Sequence, residues 1–119
     1  MGGRAIRIKR VYEPAAASDG LRVLVDRLWP RGVSREKGRI DLWLKDVAPS
    51  DALRRTFHGH PDKWDEFVAA YRAELAQEPA KSAAASLRGK SAKGTVTLLF
   101  AARDEARNNA AALRHLLSQ

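Results

Sequence analysis

Two segments of the chain are apolar on successive residues rather than on alternate ones. They are Val23-Leu24-Val25 and the Leu98-Leu99-Phe100 run inside Thr95–Ala101. A strand with one wet face alternates, so an unbroken run describes a strand covered on both faces, as in a parallel sheet. Parallel neighbours cannot be joined by a tight turn and need a crossover, usually helical. The stretch between the two runs supplies helical patterns. The spacing therefore predicts an α/β chain: a three-layer sandwich with a small, mostly parallel sheet flanked by helices, in one domain over residues 1–119.

The remaining elements are placed around these strands. Ala5–Tyr12 alternates Ile6, Ile8 and Val11 with Arg7, Lys9 and Arg10, the pattern of an edge strand with a solvated face. Glu13 to Gly20, with Pro14 and Asp19-Gly20, reads as a loop ending in a turn. Strand character continues from Leu21 to Leu28, and Val33 to Arg39 holds at most one helical turn. Ile40 to Val47 suggests a third strand. Ser50 is an N-cap type opening a helix with Leu53 and Phe57 on one face and Gly59 as its stop. His60-Pro61 starts the clearest helix, where Trp64, Phe67, Val68, Tyr71 and Leu75 form one apolar stripe. Ala80 to Arg88 is a further helix closed by Gly89, with Lys90 to Gly94 as a basic loop. Asp104 is expected to cap a terminal helix with Ala106, Ala110, Leu113 and Leu117 in line.

Composition narrows the chemistry. The chain has no cysteine, which excludes disulfides, thiolate metal sites and a cysteine nucleophile. No apolar run approaches the roughly 18 residues that span a bilayer, and the N-terminal charges precede no apolar segment of a signal peptide. A cytoplasmic location without membrane contact is expected. The formal net charge is +8, and arginine outnumbers lysine, which favours anionic partners and forked contacts to oxyanions. A solvated basic surface accounts for the same charge without any ligand.

In open parallel sheets, ligands bind outside the carboxyl ends of the strands. Two segments place polar groups there: Asp26-Arg27-Leu28-Trp29-Pro30-Arg31-Gly32 after the second strand, and Arg103 to Asn108 after the last. Arg27 and Arg31 could clamp a phosphate or carboxylate by paired charge-assisted bonds, with Asp26 orienting them or accepting from a ligand hydroxyl. An ion pair that merely locks the turn is the structural alternative. Asp104 and Asn108 could face the same crevice, although Asp104 suits an N-cap. Lys45, beside Trp43, is a further cation at a strand end. His58, His60 and Asp62 make an incomplete metal set, and helix-end roles explain them better, so neither a metal nor a cofactor is expected. Trp29 and Trp64 are expected to serve core packing before base stacking, with Trp43, beside Lys45 in a polar-flanked strand, the exception to watch.

The runs Arg10-Val11-Tyr12-Glu13-Pro14 and Asp19-Gly20-Leu21-Arg22-Val23-Leu24-Val25-Asp26-Arg27-Leu28-Trp29-Pro30-Arg31-Gly32 resemble the YeaO-like group of the family called domain of unknown function 488. The resemblance continues through Trp43-Leu44-Lys45-Asp46, Ala48-Pro49-Ser50, Phe57-His58, Trp64, Tyr71, Thr97 to Phe100 and Asp104 to Ala110. It implies a small intracellular α/β domain and carries no reaction with it. Longer relatives hold Cys-x-Glu and Cys-His-Arg where this chain has Phe100-Ala101-Ala102 and Asn108-Asn109-Ala110, so no thiol chemistry transfers. Closer relatives often have histidine at the position of Asn109, which removes that residue as a base here.

Three expectations follow. The first is a domain binding an anionic small molecule, a nucleotide or phosphorylated metabolite, through Asp26, Arg27, Arg31, Lys45, Asp104 and Asn108. Asp26 is the candidate acid–base group if any reaction is catalysed. The second is sequence-independent nucleic-acid binding through a basic face of Arg4, Arg7, Lys9, Arg10, Lys90 and Lys93. The third is a protein-interaction module in which the arginines only hold turns.

Overall fold

The computed structural model describes residues 5–119. Four strands pair in parallel: β1 (Ile6–Arg10), β2 (Leu21–Leu24), β3 (Leu42–Trp43) and β4 (Val96–Phe100), in the order β1-β4-β2-β3. The α/β sandwich with a parallel sheet read from the sequence is the architecture found. Five α-helices among the described residues complete it: α1 (Arg35–Gly38), α2 (Asp51–Phe57), α3 (Trp64–Leu75), α4 (Ala80–Lys93) and α5 (Asn109–Leu117).

Strand pleating sorts the core into two faces. Val23, Val25, Val96, Leu98 and Phe100, with Ile6 and Ile8, pack against Leu53, Phe67, Tyr71, Leu87, Leu113 and Leu116 of the four longer helices. Val11, Leu24 and Leu99 face the other way, onto Ile40, Trp29, Val33 and Trp43. One layer is therefore thick and helical, the other a thin cover made by α1 and loops. The crossovers from β1 to β2 and from β2 to β3 travel one way along the sheet over the thin face. The return from β3 to β4 passes over the helical face. Direction and face reverse together, as the rule that parallel crossovers share one hand requires.

The thin face holds a buried charge cluster. The Arg22 guanidinium is 4% exposed and donates to Asp19 at 2.5 Å, to the Arg39 carbonyl at 3.0 Å and to the Gly38 carbonyl at 2.8 Å. Lys9 reaches Asp19 at 2.9 Å, and the Ala16 N–H donates to the same carboxylate. Burial works to raise the Asp19 carboxyl, but the Ala16 amide, Lys9 and Arg22 together hold it below its usual value.

Several boundaries differ from the sequence reading. α4 runs through Gly89 to Lys93, so Lys90 to Lys93 are helical and only Gly94 ends the helix. Beyond its chain neighbours and its own helix backbone, no atom lies within 4 Å of where a Gly89 side chain would begin, so this glycine sits on the open side. Its cost of about 1 kcal/mol is outweighed by the burial of Ala83, Ala84 and Leu87. The third strand shrinks from Ile40–Val47 to Leu42–Trp43, because β2 stops at Leu24 and offers only two register partners before the chain turns through Lys45–Val47. Pro61–Lys63 forms a 3₁₀ turn ahead of α3 rather than its first turn. Asn108, not Asp104, caps the terminal helix, so Ala106 lies before it.

Candidate functional site

Because every strand points the same way, all four carboxyl ends meet on one rim, and each delivers a cation. Arg10 ends β1, Arg27 follows β2, Lys45 follows β3 and Arg103 follows β4. At the β2–β4 boundary the chain departs to the thin face after β2 and to the helical face after β4, which is where a crevice opens in such sheets.

Asp26 stands at that boundary. Its Oδ2 accepts from the Ala101 N–H at 2.9 Å and its Oδ1 from the Asn109 amide at 3.0 Å. The same Asn109 amide donates to the Val25 carbonyl at 3.1 Å, and Trp43 Nε1 donates to the Asp26 carbonyl at 2.8 Å. Desolvation by burial pushes the Asp26 carboxyl above its usual value, against the Asn109 and Ala101 donors and the charge of Arg54. The ion pairs among the described residues are Lys9–Asp19, Arg22–Asp19 and Arg54–Asp51, so Asp26 belongs to none of them.

Arg27 is turned onto the chain itself. Its Nε donates to the Pro49 carbonyl at 3.2 Å and its Nη2 to the Ala48 carbonyl at 3.1 Å. The Tyr71 hydroxyl donates to the Val47 carbonyl, and Glu74 accepts from the Ser50 N–H at 2.9 Å and the Ser50 hydroxyl at 2.5 Å. These three side chains fasten the Val47–Ser50 junction, whose backbone groups have no ladder to join. Burial raises the Tyr71 hydroxyl far above its normal value, and the Glu74 and Asp26 carboxylates add to that, so it stays a donor.

Arg31 is exposed on a turn where Gly32 has φ 78° and Trp29 Nε1 donates to the Val33 carbonyl at 2.6 Å. The Tyr12 hydroxyl donates to the Arg31 carbonyl at 3.1 Å, tying the end of β1 to this turn. Lys45 is exposed, with its Nζ 4.9 Å from the Trp43 ring, which meets Trp29 edge-on at 5.3 Å. Asp104 is exposed and its Oδ1 accepts from the Arg107 and Ala106 N–H groups, which hold its carboxyl below the usual value. Asn108 is buried: its Oδ1 accepts from the Ala111 N–H at 2.8 Å, and its amide donates to the Asp104 carbonyl at 2.9 Å.

The rim thus brings Asp26, Arg31 and Lys45 to the strand ends. It assigns Arg27 to a junction and Asn108 to a helix cap, and leaves Asp104 on the loop after β4. Asn109, absent from the sequence candidates, is the side chain that touches Asp26; an asparagine beside a second asparagine at a helix start was the available signal. Arg10, expected on a basic face, instead sits on the rim: its Nε donates to the Ala102 carbonyl at 2.9 Å and its Nη2 to the Ala101 carbonyl at 3.0 Å. Arg7 donates to the Ser18 carbonyl and Lys9 pairs with Asp19, both on the thin face, whereas Lys90 and Lys93 belong to α4. The expected basic residues therefore do not line up as one stripe, and Arg4 lies outside the described residues.

Among the described residues no group of three or more histidine, aspartate or glutamate side chains is arranged to hold a metal ion. No helix among them is long and apolar enough to cross a membrane.

The DUF488-N3i family, described as the inactive DUF488-N3 subclade, matches residues 5–119. An uncharacterised protein of Mycobacterium tuberculosis strain H37Rv is 43% identical over 113 residues, covering 95% of this chain and 93% of its own length. The uncharacterised protein YeaO of Escherichia coli strain K12 is 43% identical over 108 residues, covering 91% of this chain and 92% of its own. No solved structure matches.

Proposed function

This chain belongs to the DUF488-N3i family, the inactive DUF488-N3 subclade, and from that premise we propose that it acts by binding rather than by catalysis. Its ligand is an anionic small molecule, a nucleotide or phosphorylated metabolite, seated on the strand-end rim. The observation that carries this reading is the convergence of Arg10, Lys45 and Arg103 at the parallel strand ends, with Arg31 exposed beside them and Arg27 turned away to the Val47–Ser50 junction. Forked and point cations on one rim suit a phosphate. Asp26 supports the non-catalytic half of the proposal. Both its oxygens are engaged by fixed neutral donors, and the side chain that meets it, Asn109, cannot relay a proton.

Thermal-shift and calorimetric titrations with nucleotides, sugar phosphates and carboxylates test it, run beside an Arg31→Ala, Lys45→Ala variant. These two side chains are chosen because neither makes an ion pair among the described residues. A ligand at about 100 times its Kd stabilises the folded state by about 2.7 kcal/mol, and the variant is expected to lose that shift. Full affinity in the variant overturns the proposal.

The alternative of nucleic-acid association has one observation in its favour. Tyr12 is 46% exposed under Arg10 at 5.1 Å, and Leu28 is 67% exposed, so the rim is open and partly apolar. Short single strands belong in the same titrations, where affinity that falls steeply with added salt marks this reading.

A further inference from the structure

We infer that the outer edge of β1 is a docking site for an extended acidic peptide, which adds to the sheet as a fifth strand. The hydrogen bonds fix which backbone groups are available. The Val96 N–H donates to the Ala5 carbonyl at 3.0 Å and the Val11 N–H to the Phe100 carbonyl at 2.8 Å. In a parallel ladder this places the backbone groups of Ala5, Arg7, Lys9 and Val11 toward β4 and those of Ile6, Ile8 and Arg10 outward. Glu13 satisfies Arg10, accepting from its N–H at 3.1 Å and donating to its carbonyl at 3.0 Å. Ile6 and Ile8 are left with two N–H groups and two carbonyls that have no partner among the described residues. Their side chains are packed against the helical core, so the edge is held in strand geometry before anything binds.

The surroundings choose the partner. Arg7 is exposed on the thin-face side of the edge. On the helical side lies a cleft of about 640 Å³ lined by Ile6 with Arg88, Ser91, Arg114 and His115, and no carboxylate side chain lines it. A strand laid along Ile6 and Ile8 sends alternate side chains to these two sides and meets cations on both. A second copy adding its own β1 would set Arg7, Lys9 and Arg10 against the same residues, the like-charge arrangement that keeps natural edges from self-pairing. An acidic segment gains main-chain bonds and charge complementarity at once.

The test uses a fluorescein-labelled octapeptide alternating glutamate and threonine, with the lysine–threonine peptide beside it, followed by anisotropy at low salt. The acidic peptide is expected to bind and to slow hydrogen exchange at the Ile6 and Ile8 amides, while Arg7 and Lys9, already in the ladder, change little. Ile8→Pro is expected to abolish binding and keep the β1–β4 ladder, because the Ile8 N–H points away from β4. Should that variant fold poorly, Arg88→Glu with Arg114→Glu alters only exposed groups and is expected to weaken binding by about tenfold. Four results overturn the inference: no binding, equal binding of the lysine peptide, binding without protection at Ile6 and Ile8, or sedimentation showing the chain paired with itself through β1.

Discussion

Replacing Asp19 by alanine tests the charge cluster of the thin face most sharply. The substitution removes the one carboxylate that the Arg22 guanidinium touches among the described residues and leaves a cation 4% exposed, held by two carbonyls. An uncompensated buried charge of this kind costs about 3–5 kcal/mol, against about 5–15 kcal/mol for an entire domain. With a urea m value of about 1–3 kcal/mol/M, the unfolding midpoint is expected to fall by about 1–5 M. Asp19→Ala with Arg22→Met removes both charges and is expected to cost less than the two single changes added together. The pH dependence has a definite sign. The folded-state value of Asp19 lies below the unfolded one, so its contribution is complete above the ordinary carboxylate range and is lost as pH falls through the folded value. The gap between wild type and Asp19→Ala therefore narrows on acidification. A loss below about 1 kcal/mol at neutral pH, or a gap that widens in acid, refutes the reasoning.

Two further outcomes concern the rim. Arg27→Ala is expected to lower stability by about 1–3 kcal/mol, since it releases the Ala48 and Pro49 carbonyls, while leaving rim affinity for a nucleotide intact; melts and titrations of one sample separate the two effects. Asp26 has its folded-state value raised, so the unfolded chain ionises first and wild-type stability falls as pH rises through that window. Asp26→Asn lacks this slope, and its stability relative to wild type is expected to improve from the ordinary carboxylate range toward neutrality. A difference that is flat with pH would contradict burial as the controlling term.

How much of this was legible in sequence depends on whether the deciding interaction is local. β2 and β4 could be read because burial on both faces writes itself into consecutive residues, and α3 because its stripe repeats with the helical period. The end of α4 could not, because a glycine on the open side of a helix costs less than the packing of Leu87 gains, and that packing is tertiary. Asp104 and Asn108 are equally good cap types, and only the position of β4 and the loop after it decides which one meets a helix. At the site, Asp26 was visible as the polar end of an apolar strand. Its partners were not, since Ala101 contributes a backbone N–H and Asn109 comes from an element far along the chain. The direction of Arg27 was equally hidden, because the carbonyls it seeks belong to a turn that exists only once α2 and α3 are docked.

The strand order has a consequence for how the chain comes into being. β4 lies between β1 and β2, and among the described residues β1 pairs with no other strand. Ile6 must wait for Val96 before it has a neighbour, whereas β2 and β3 can pair as soon as Trp43 has been made. During synthesis at about 5–20 residues per second, the growing polypeptide carries β1 and β2 as two unjoined pieces until Val96–Phe100 are made. The sheet is completed by insertion at its centre rather than by growth at a margin. Contacts of such long sequence separation are closed late and slowly. A chain arrested before Val96 has most of its residues and none of the strand that makes them one sheet.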